Sequence, residues 1–367
     1  MTILNIVDNL LPVNFGIWNA AVATAPNLQA MGIATELWYP HIENAPQLPH
    51  VQMVPLYDLK GSSLKRLIEE RQPDKRTTVV ITHGCWQFAT RWGATLKRMG
   101  YPWVYVPHGM LEPWSMLQKK WKKKAYFTFA EYPLSGQANV VRAVGRPEQE
   151  NLLKLYANTW LNPNGIHMPN QTETHKWDSP EKVNYLFMAR LHAKKGILQL
   201  TEAWLQSPQF NHGMCHLYIA GPDDGELPRL QALINRYPDV NITYLGGIYN
   251  SEKETLLNKC HIYLLPSHSE GFPTSVLEAM SYQLVPVITD GCNFPEAFDA
   301  QMAIRTTPST SEIVNSFKWL HRQPLTSLAQ LAQNSAKWVI EHYSNQVIAQ
   351  AQAMVYQKML ESGKREF

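Results

Sequence analysis

At roughly 150 residues per domain, a chain of 367 residues is long enough for two domains of ordinary size, which excludes a single small module. Lys plus Arg number 33 and Asp plus Glu 30, so the net charge of +3 does not mark a dedicated nucleic-acid binder. A hydrophobic content of 45% with only 17% charged residues excludes intrinsic disorder and leaves a large α/β protein, by expectation an enzyme.

The N-terminal MTILNIVDNLLPVN carries acid early and no basic residue before its apolar run, so it reads as a first strand rather than a signal peptide. A first helix is expected over Ile17 to Met31, interrupted by Pro26 and ended by Gly32. Further short apolar runs follow at Thr35 to Tyr39, Val51 to Leu56, Thr78 to Thr82, Trp103 to Val106, Tyr126 to Phe129 and Val140 to Val144. Runs of this length separated by helix-sized segments predict parallel βα units. After the polar stretch MPNQTETHKWDSPEK a second series begins: Tyr185 to Met188, His216 to Ala220, Ile242 to Leu245, Ile262 to Leu265 and Val285 to Thr289. Helices are expected between these strands near Gly196 to Gln206, Leu227 to Arg236, Glu252 to Lys259 and Ser275 to Ser281. Ser251 and Glu254 have the spacing of a capping box, and Ser327 to Leu360 reads as one or two long helices. The 25 prolines argue for many loops and few long helices.

The fold class is therefore α/β, as two successive doubly wound domains. No run approaches 18 apolar residues, so a spanning helix is not expected. Cys85, Cys215, Cys260 and Cys292 are far apart in apolar or loop-like surroundings, which favours a reducing compartment and a cytoplasmic location.

The segment SHSEGFPTSVLEAM, residues 267–280, directly follows an expected strand. Gly271, Phe272 and Pro273 form a turn, and Thr274 or Ser275 opens a helix whose backbone N–H groups suit phosphate. Glu270 and Glu278 stand on either side of a nucleotide-sized site, although two such acids alone are usually solvated surface groups. In ARLHAKKG, residues 189–196, Arg190 and Lys195 can converge from a strand end and a helix start on a diphosphate. IAGPDDG at 219–225 and LGG at 245–247 lie between the two segments.

In this order the elements resemble the large retaining glycosyltransferase superfamily that includes glycogen synthases and bacterial cell-surface sugar transferases. The resemblance implies a GT-B fold: two Rossmann-like domains facing across a cleft, with a C-terminal helix crossing back to the first. The implied division is 1–170 for an acceptor-side domain, 171–338 for a nucleotide-sugar-binding domain and 339–367 for the returning helical region. It further implies that Glu270 approaches the donor sugar, Glu278 bonds the nucleotide ribose and amides around Phe272 to Ser275 meet the diphosphate. Ala189 replaces a glycine common in the family, and only Gly16 stands where paired glycines often follow the first strand. Gly16 is included among the donor-binding residues on that ground.

Two turns in the first half carry histidine before glycine: Thr82-His83-Gly84-Cys85-Trp86 and Pro107-His108-Gly109-Met110-Leu111. By resemblance, His108 lies near the transferred sugar and counts with Arg190, Lys195 and Glu270 as catalytic, while His83 and Trp86 belong to the acceptor side. A zinc site from His83, Cys85 and His108 lacks ligand spacing and is not expected. Asn162-Pro163-Asn164-Gly165 matches the turn between domains, and Cys292-Asn293-Phe294-Pro295-Glu296 a shape-determining segment of the second.

The implied reaction is front-face transfer of a hexose or related sugar with retention, from a nucleotide sugar to a saccharide or lipid-linked acceptor hydroxyl. It needs no metal and no cofactor, because Arg190 and Lys195 balance the leaving diphosphate, and GPDDG reads as a turn rather than a manganese site. The implied setting is cell-surface or exopolysaccharide biosynthesis. A nucleotide-sugar epimerase and an inactive carbohydrate-binding or scaffold protein are the alternatives. The run KKWKKK, with Lys119, Lys120, Lys122, Lys123 and Lys124 around Trp121, has three readings: a peripheral contact with an anionic membrane at the inner face of the plasma membrane, a solvated helix, or a soluble anionic acceptor surface. Tyr126 is expected at the lipid interface if the first holds. Nucleic acid is not an expected partner.

Overall fold

The computed structural model describes every residue except 12–13, 118–119, 170–175, 179, 209–213 and 364–367. The chain divides into two compact units, Met1–Ile166 with Tyr343–Phe367, and His167–His342.

In the first unit seven strands form one parallel sheet: β1 (Thr2–Val7), β2 (Ala34–Pro40), β3 (Gln52–Leu56), β4 (Thr78–His83), β5 (Trp103–Val106), β6 (Val140–Ala143) and β7 (Thr159–Leu161). Their order is β3-β2-β1-β4-β5-β6-β7. The central strands β4 and β5 are buried throughout, as a sheet covered on both faces by helices requires. In the second unit six strands, β8 (Val183–Met188), β9 (Cys215–Ala220), β10 (Ile242–Tyr244), β11 (Ile262–Leu265), β12 (Val285–Thr289) and β13 (Ile304–Thr306), order as β10-β9-β8-β11-β12-β13, again all parallel. Each sheet reverses its winding beside its first strand, between β1 and β4 and between β8 and β11. In a parallel sheet the loops that leave the C-terminal ends of the strands beside such a reversal are where ligands bind.

Several local expectations change. Tyr126 to Phe129 is not a strand: helix Lys120–Tyr126 runs into a π-helical turn, Phe127–Glu131, and then helix Tyr132–Ser135. An aromatic run of four is too short for its composition to decide between strand and helix, and the flanking lysines carry the helix into it. The first helix is two pieces, Phe15–Val22 and Ala25–Ala30, with Pro26 near the start of the second, where its missing N–H costs nothing. The capping box does not form: helix Asn250–Lys259 starts after Tyr249, and Ser251 lies inside it. The segment Ser327 to Leu360 is, as expected, two long helices, Leu325–Tyr343 and Asn345–Gly363, each of 19 residues. Among the described residues no helix is long and apolar enough to cross a membrane. The four cysteines are free and buried, and burial raises each thiol pKa, that of Cys260 to about 12.

Helix Asn345–Gly363 belongs to the first unit and completes it. Gln352, 5% exposed, accepts from the Thr24 hydroxyl at 2.9 Å and donates to Asn162 Oδ1 at 3.2 Å. Beside it Arg142, 2% exposed in β6, donates to the carbonyls of Asn162 and Pro163, both at 2.8 Å, and to Asn164 Oδ1 at 3.2 Å. The chain returns alongside this turn, where Ile166 N–H donates to Tyr343 O and Asn345 N–H to Ile166 O. Residues 170–175 and 179 of the expected linker lie outside the described residues. Its Lys176 and Trp177 pack onto the second unit, with Trp177 Nε1 donating to Gln283 O at 3.1 Å.

Replacing Arg142 by Met removes three hydrogen bonds, two of them buried and one part-buried. The expected loss is about 3 kcal/mol of first-unit stability, since hydrogen bonds to a charged group are each worth roughly 1.5–3 kcal/mol. Denaturant unfolding followed in the first unit checks it; an unchanged midpoint contradicts this role for Arg142.

Candidate active site

In the second unit the loops following β8, β9 and β11 are drawn together at the winding reversal. Gly196 has φ +70, and a Cβ there would stand 2.3 Å from Pro266 O, so the start of helix Ile197–Leu205 lies directly on the loop after β11. Lys194 O accepts from His268 N–H at 2.7 Å and from the Ser267 hydroxyl at 3.1 Å, which joins the two loops. Gly221, with φ +147, lies so close to Ala189 that a Cβ would meet Ala189 O at 1.9 Å. Ala189 thus contributes its backbone to this contact. Gly196 of ARLHAKKG and Gly221 of GPDDG serve backbone approach.

These contacts gather the charged side chains. Lys195 Nζ donates to both oxygens of Glu270, at 2.6 and 2.5 Å, with side chains 12% and 9% exposed. Arg190 Nη1 meets Asp224 Oδ2 at 2.7 Å in a more open pair, 40% and 36% exposed. Lys194 lies within the field of all four: burial lowers its pKa first, Lys195 and Arg190 lower it further, and Glu270 and Asp224 oppose them. Glu270 is thus a partnered charge, with Lys195 on both of its carboxylate oxygens. Its backbone is held too, with N–H donating to Gly291 O at 2.7 Å and its carbonyl accepting from Asn293 Nδ2 at 2.6 Å. The segment after β12 therefore sets the position of the Glu270 loop.

Helix Thr274–Ser281 begins after Pro273, as expected, with Thr274 as its first residue. The Tyr263 hydroxyl donates to Met188 O at 3.0 Å and accepts from Ser275 Oγ at 2.8 Å, tying the end of β8 to this helix start. Burial raises the Tyr263 pKa well above its ordinary value, and the charges of Glu270 and Glu278 add to the rise. Glu278 carries a partner, Lys253 Nζ at 3.0 Å. Gly271 is exposed and Phe272 half-buried. Asp223 is a turn residue whose Oδ1 accepts from Gly225 and Leu227 N–H groups at 2.9 and 3.0 Å. Among the described residues no group of three or more His, Cys, Asp or Glu is arranged to hold a metal.

In the first unit, His83 ends β4 and His108 follows β5. Their rings stack with centroids 5.2 Å apart, His83 Nδ1 lies 2.9 Å from His108 Nε2, and His83 Nε2 lies 2.9 Å from Asn5 Oδ1. Burial, with Arg142 nearby, lowers the His108 pKa to about 3 and drives that of His83 well below its ordinary value, so both rings are neutral near pH 7. His108 adopts φ 53, and the following Gly109 N–H donates to Glu148 Oε1 at 2.6 Å. Burial raises the Glu148 pKa to about 7, against the pull of the Val144 and Gly109 N–H donors. Trp86 is half-buried, with its N–H on Glu131 Oε2 at 3.2 Å and Tyr126 and Phe127 against its ring. Gly16 lies inside helix Phe15–Val22, and a Cβ there would meet nothing within 4 Å, so close backbone approach does not require glycine at this position.

Sequence reasoning missed Asp224 and Lys253 as partners, because surface acids and lysines carry no periodicity. It also missed Asn5 and Arg142, which did leave a signal: each is the one strongly polar residue within an apolar strand, LNIV and VVRAV. The lysine run is uneven. Lys119 lies outside the described residues; Lys120, Lys122 and Lys124 are exposed. Lys123 folds back to donate to Ser115 O at 2.8 Å and lies over the Trp86 ring. Tyr126 is correspondingly half-buried, and Trp121 and Phe129 are the exposed aromatics, 79% and 84%.

Residues 168–338 match the family described as Glycosyl transferases group 1, and residues 16–165 match the Glycosyl transferase 4-like domain. One subunit of the phosphatidylinositol N-acetylglucosaminyltransferase of Arabidopsis thaliana is 23% identical over 79% of this chain and 64% of its own length. A Campylobacter jejuni N,N'-diacetylbacillosaminyl-diphospho-undecaprenol alpha-1,3-N-acetylgalactosaminyltransferase is 31% identical over 33% of this chain and 32% of its own. The chain thus spans less than two thirds of the length of either relative. Among solved structures, a glycosyltransferase from Rickettsia africae superposes with TM-score 0.77 at 17% identity, covering 98% of both chains. Anabaena Alr3699/HepE in complex with UDP superposes with TM-score 0.76 at 17% identity, covering 98% of this chain and 100% of its own. The fold is GT-B, and both parts of the chain match glycosyl transferase domains, residues 168–338 that of the group 1 glycosyl transferases.

Proposed function

We propose that the protein transfers a hexose or related sugar, with retention and without a metal, from a nucleotide sugar to the hydroxyl of a saccharide or lipid-linked acceptor in cell-surface polysaccharide synthesis. The observation that carries this reading is the pair of cations Arg190 and Lys195 at the winding reversal of the second sheet, each already opposed by a carboxylate. A diphosphate arriving there exchanges one anion for another. The cations then need little reorganisation to balance the charge that grows on the leaving nucleotide. Lys195 stays near Glu270, whose partnered carboxylate orients the sugar or supports positive charge on it. Glu278, with one oxygen on Lys253, keeps the other for ribose hydroxyls. Amides at the start of helix Thr274–Ser281 meet the phosphates, and the leaving diphosphate helps accept the proton of the acceptor hydroxyl.

The names of the curated relatives support a lipid or lipid-linked acceptor, since both specify one, and the UDP bound by the Anabaena protein supports a nucleotide-sugar donor. Exposed Lys120, Lys122 and Lys124 with Trp121, Phe129 and Leu117 form a basic and apolar surface suited to the anionic face of a membrane, where such an acceptor resides. This reading makes the protein a peripheral enzyme on the cytoplasmic face.

In a donor and acceptor panel, nucleotide release is expected to depend on acceptor, and Arg190→Ala or Lys195→Ala to lower kcat by about 100-fold or more, the usual effect of removing a transition-state donor. Turnover without loss in Lys195→Ala contradicts the assignment. Replacing Lys120, Lys122 and Lys124 by Gln is expected to abolish sedimentation with phosphatidylglycerol vesicles, at about 1 kcal/mol per lysine, while leaving turnover of a water-soluble acceptor analogue intact. Unchanged sedimentation excludes the membrane surface.

A further inference from the structure

The buried chain Asn5–His83–His108 has a direction that its geometry determines. Asn5, 2% exposed in the middle of β1, turns its amide so that Nδ2 donates to Glu36 O at 3.4 Å, which leaves Oδ1 toward His83. Oδ1 only accepts, so His83 Nε2 carries the proton of a neutral ring. His83 Nδ1 is then an acceptor, and the group 2.9 Å away, His108 Nε2, must be the donor. A neutral His108 with its proton on Nε2 has a lone pair on Nδ1. That nitrogen has no hydrogen-bond partner among the described residues and is not closed off from solvent.

We propose that Asn5 and His83 are positioning residues that hold His108 in the Nε2–H tautomer and present its Nδ1 as a hydrogen-bond acceptor for a hydroxyl of the transferred or accepting sugar. This deepens the glycosyltransferase reading and rests on it for the identity of the ligand. The backbone supports the same arrangement: His108 sits at φ 53, and Glu148 fastens the next N–H. Together they fix the backbone from which the imidazole projects, and the stacked His83 ring holds its Nε2 side. An acceptor nitrogen in this position favours a substrate hydroxyl over a deoxy or O-methyl analogue, because either change leaves a desolvated lone pair unpaired. His108 here holds a hydroxyl and takes no proton. His83 acts through His108 and does not touch the sugar.

The test combines imidazole nitrogen NMR of the full chain, without substrate, with steady-state kinetics. His108 is assigned by difference with His108→Gln. The wild type is expected to show protonated Nε2 and bare Nδ1 at His108. His83→Leu, which offers no acceptor to Nε2–H, is expected to give a mixture of tautomers and to lower kcat by about 10-fold with donor KM unchanged, equivalent to one hydrogen bond of roughly 1.4 kcal/mol. His83→Gln, which can accept from His108 and donate to Asn5, is expected to recover most of that loss. A protonated Nδ1 at His108 in the wild type overturns the proposal. So does wild-type kcat in His83→Leu, or an effect of equal size in His83→Gln. If the tautomer is as stated but no sugar is transferred from any nucleotide donor, the positioning chain stands and the catalytic reading fails.

Discussion

Everything chemical in the second unit depends on backbone meeting backbone at the C-terminal edge of a parallel sheet. Parallel strands deliver all their following loops to one edge, and a winding reversal leaves a space there that side chains alone would fill. Gly196 and Gly221 keep that space narrow and polar by letting the loop after β11 lie on one helix start and the loop after β9 lie on Ala189. Peptide groups within hydrogen-bonding distance then place Lys195 against Glu270 and Arg190 against Asp224. A single Cβ at position 196 would separate a lysine from its carboxylate partner while leaving the sheet intact.

The charge pattern has a second consequence. A buried ion pair is a poor source of stability, because desolvation of both groups offsets much of their attraction. Lys195 and Glu270 are nearly closed to water, whereas Arg190 and Asp224 remain open. The open pair is the easier to exchange for an incoming anion, since solvent screens what is lost. The closed pair keeps its geometry, so one cation is adaptable and the other is set in advance.

The doubly wound architecture was legible because apolar runs at βα intervals are written directly into a buried parallel sheet, from Ile3 to Val7 through Val285 to Thr289. The segments 189–196 and 267–280 were legible for a different reason: glycine and proline announce the turns that hold their charged residues. What sequence did not disclose lies in pairing between distant positions. Asp224 is an acid in a turn until Arg190 is beside it, and Lys253 is one of many helix lysines until Glu278 is. The run 126–129 misled because four aromatic-rich residues fit a strand or a helix equally well, and the choice came from the helix already running into them. Arg142 marks the opposite case. A charge inside an apolar run is visible in sequence, but its satisfaction by main-chain carbonyls after β7 is a fact of tertiary structure.

The bond from Thr24 to Gln352 spans 328 positions. During synthesis from the N-terminus, the seven-stranded sheet is made first but lacks the helix that covers Thr24 and Asn162, whereas all of His167–His342 is available before that helix emerges. The unit that is second in sequence is thus the first able to finish folding, and the earlier one waits with buried polar groups unmatched. Damage to the last helix, although remote from every residue assigned to chemistry, is therefore a fault of assembly in the half of the molecule that begins the chain.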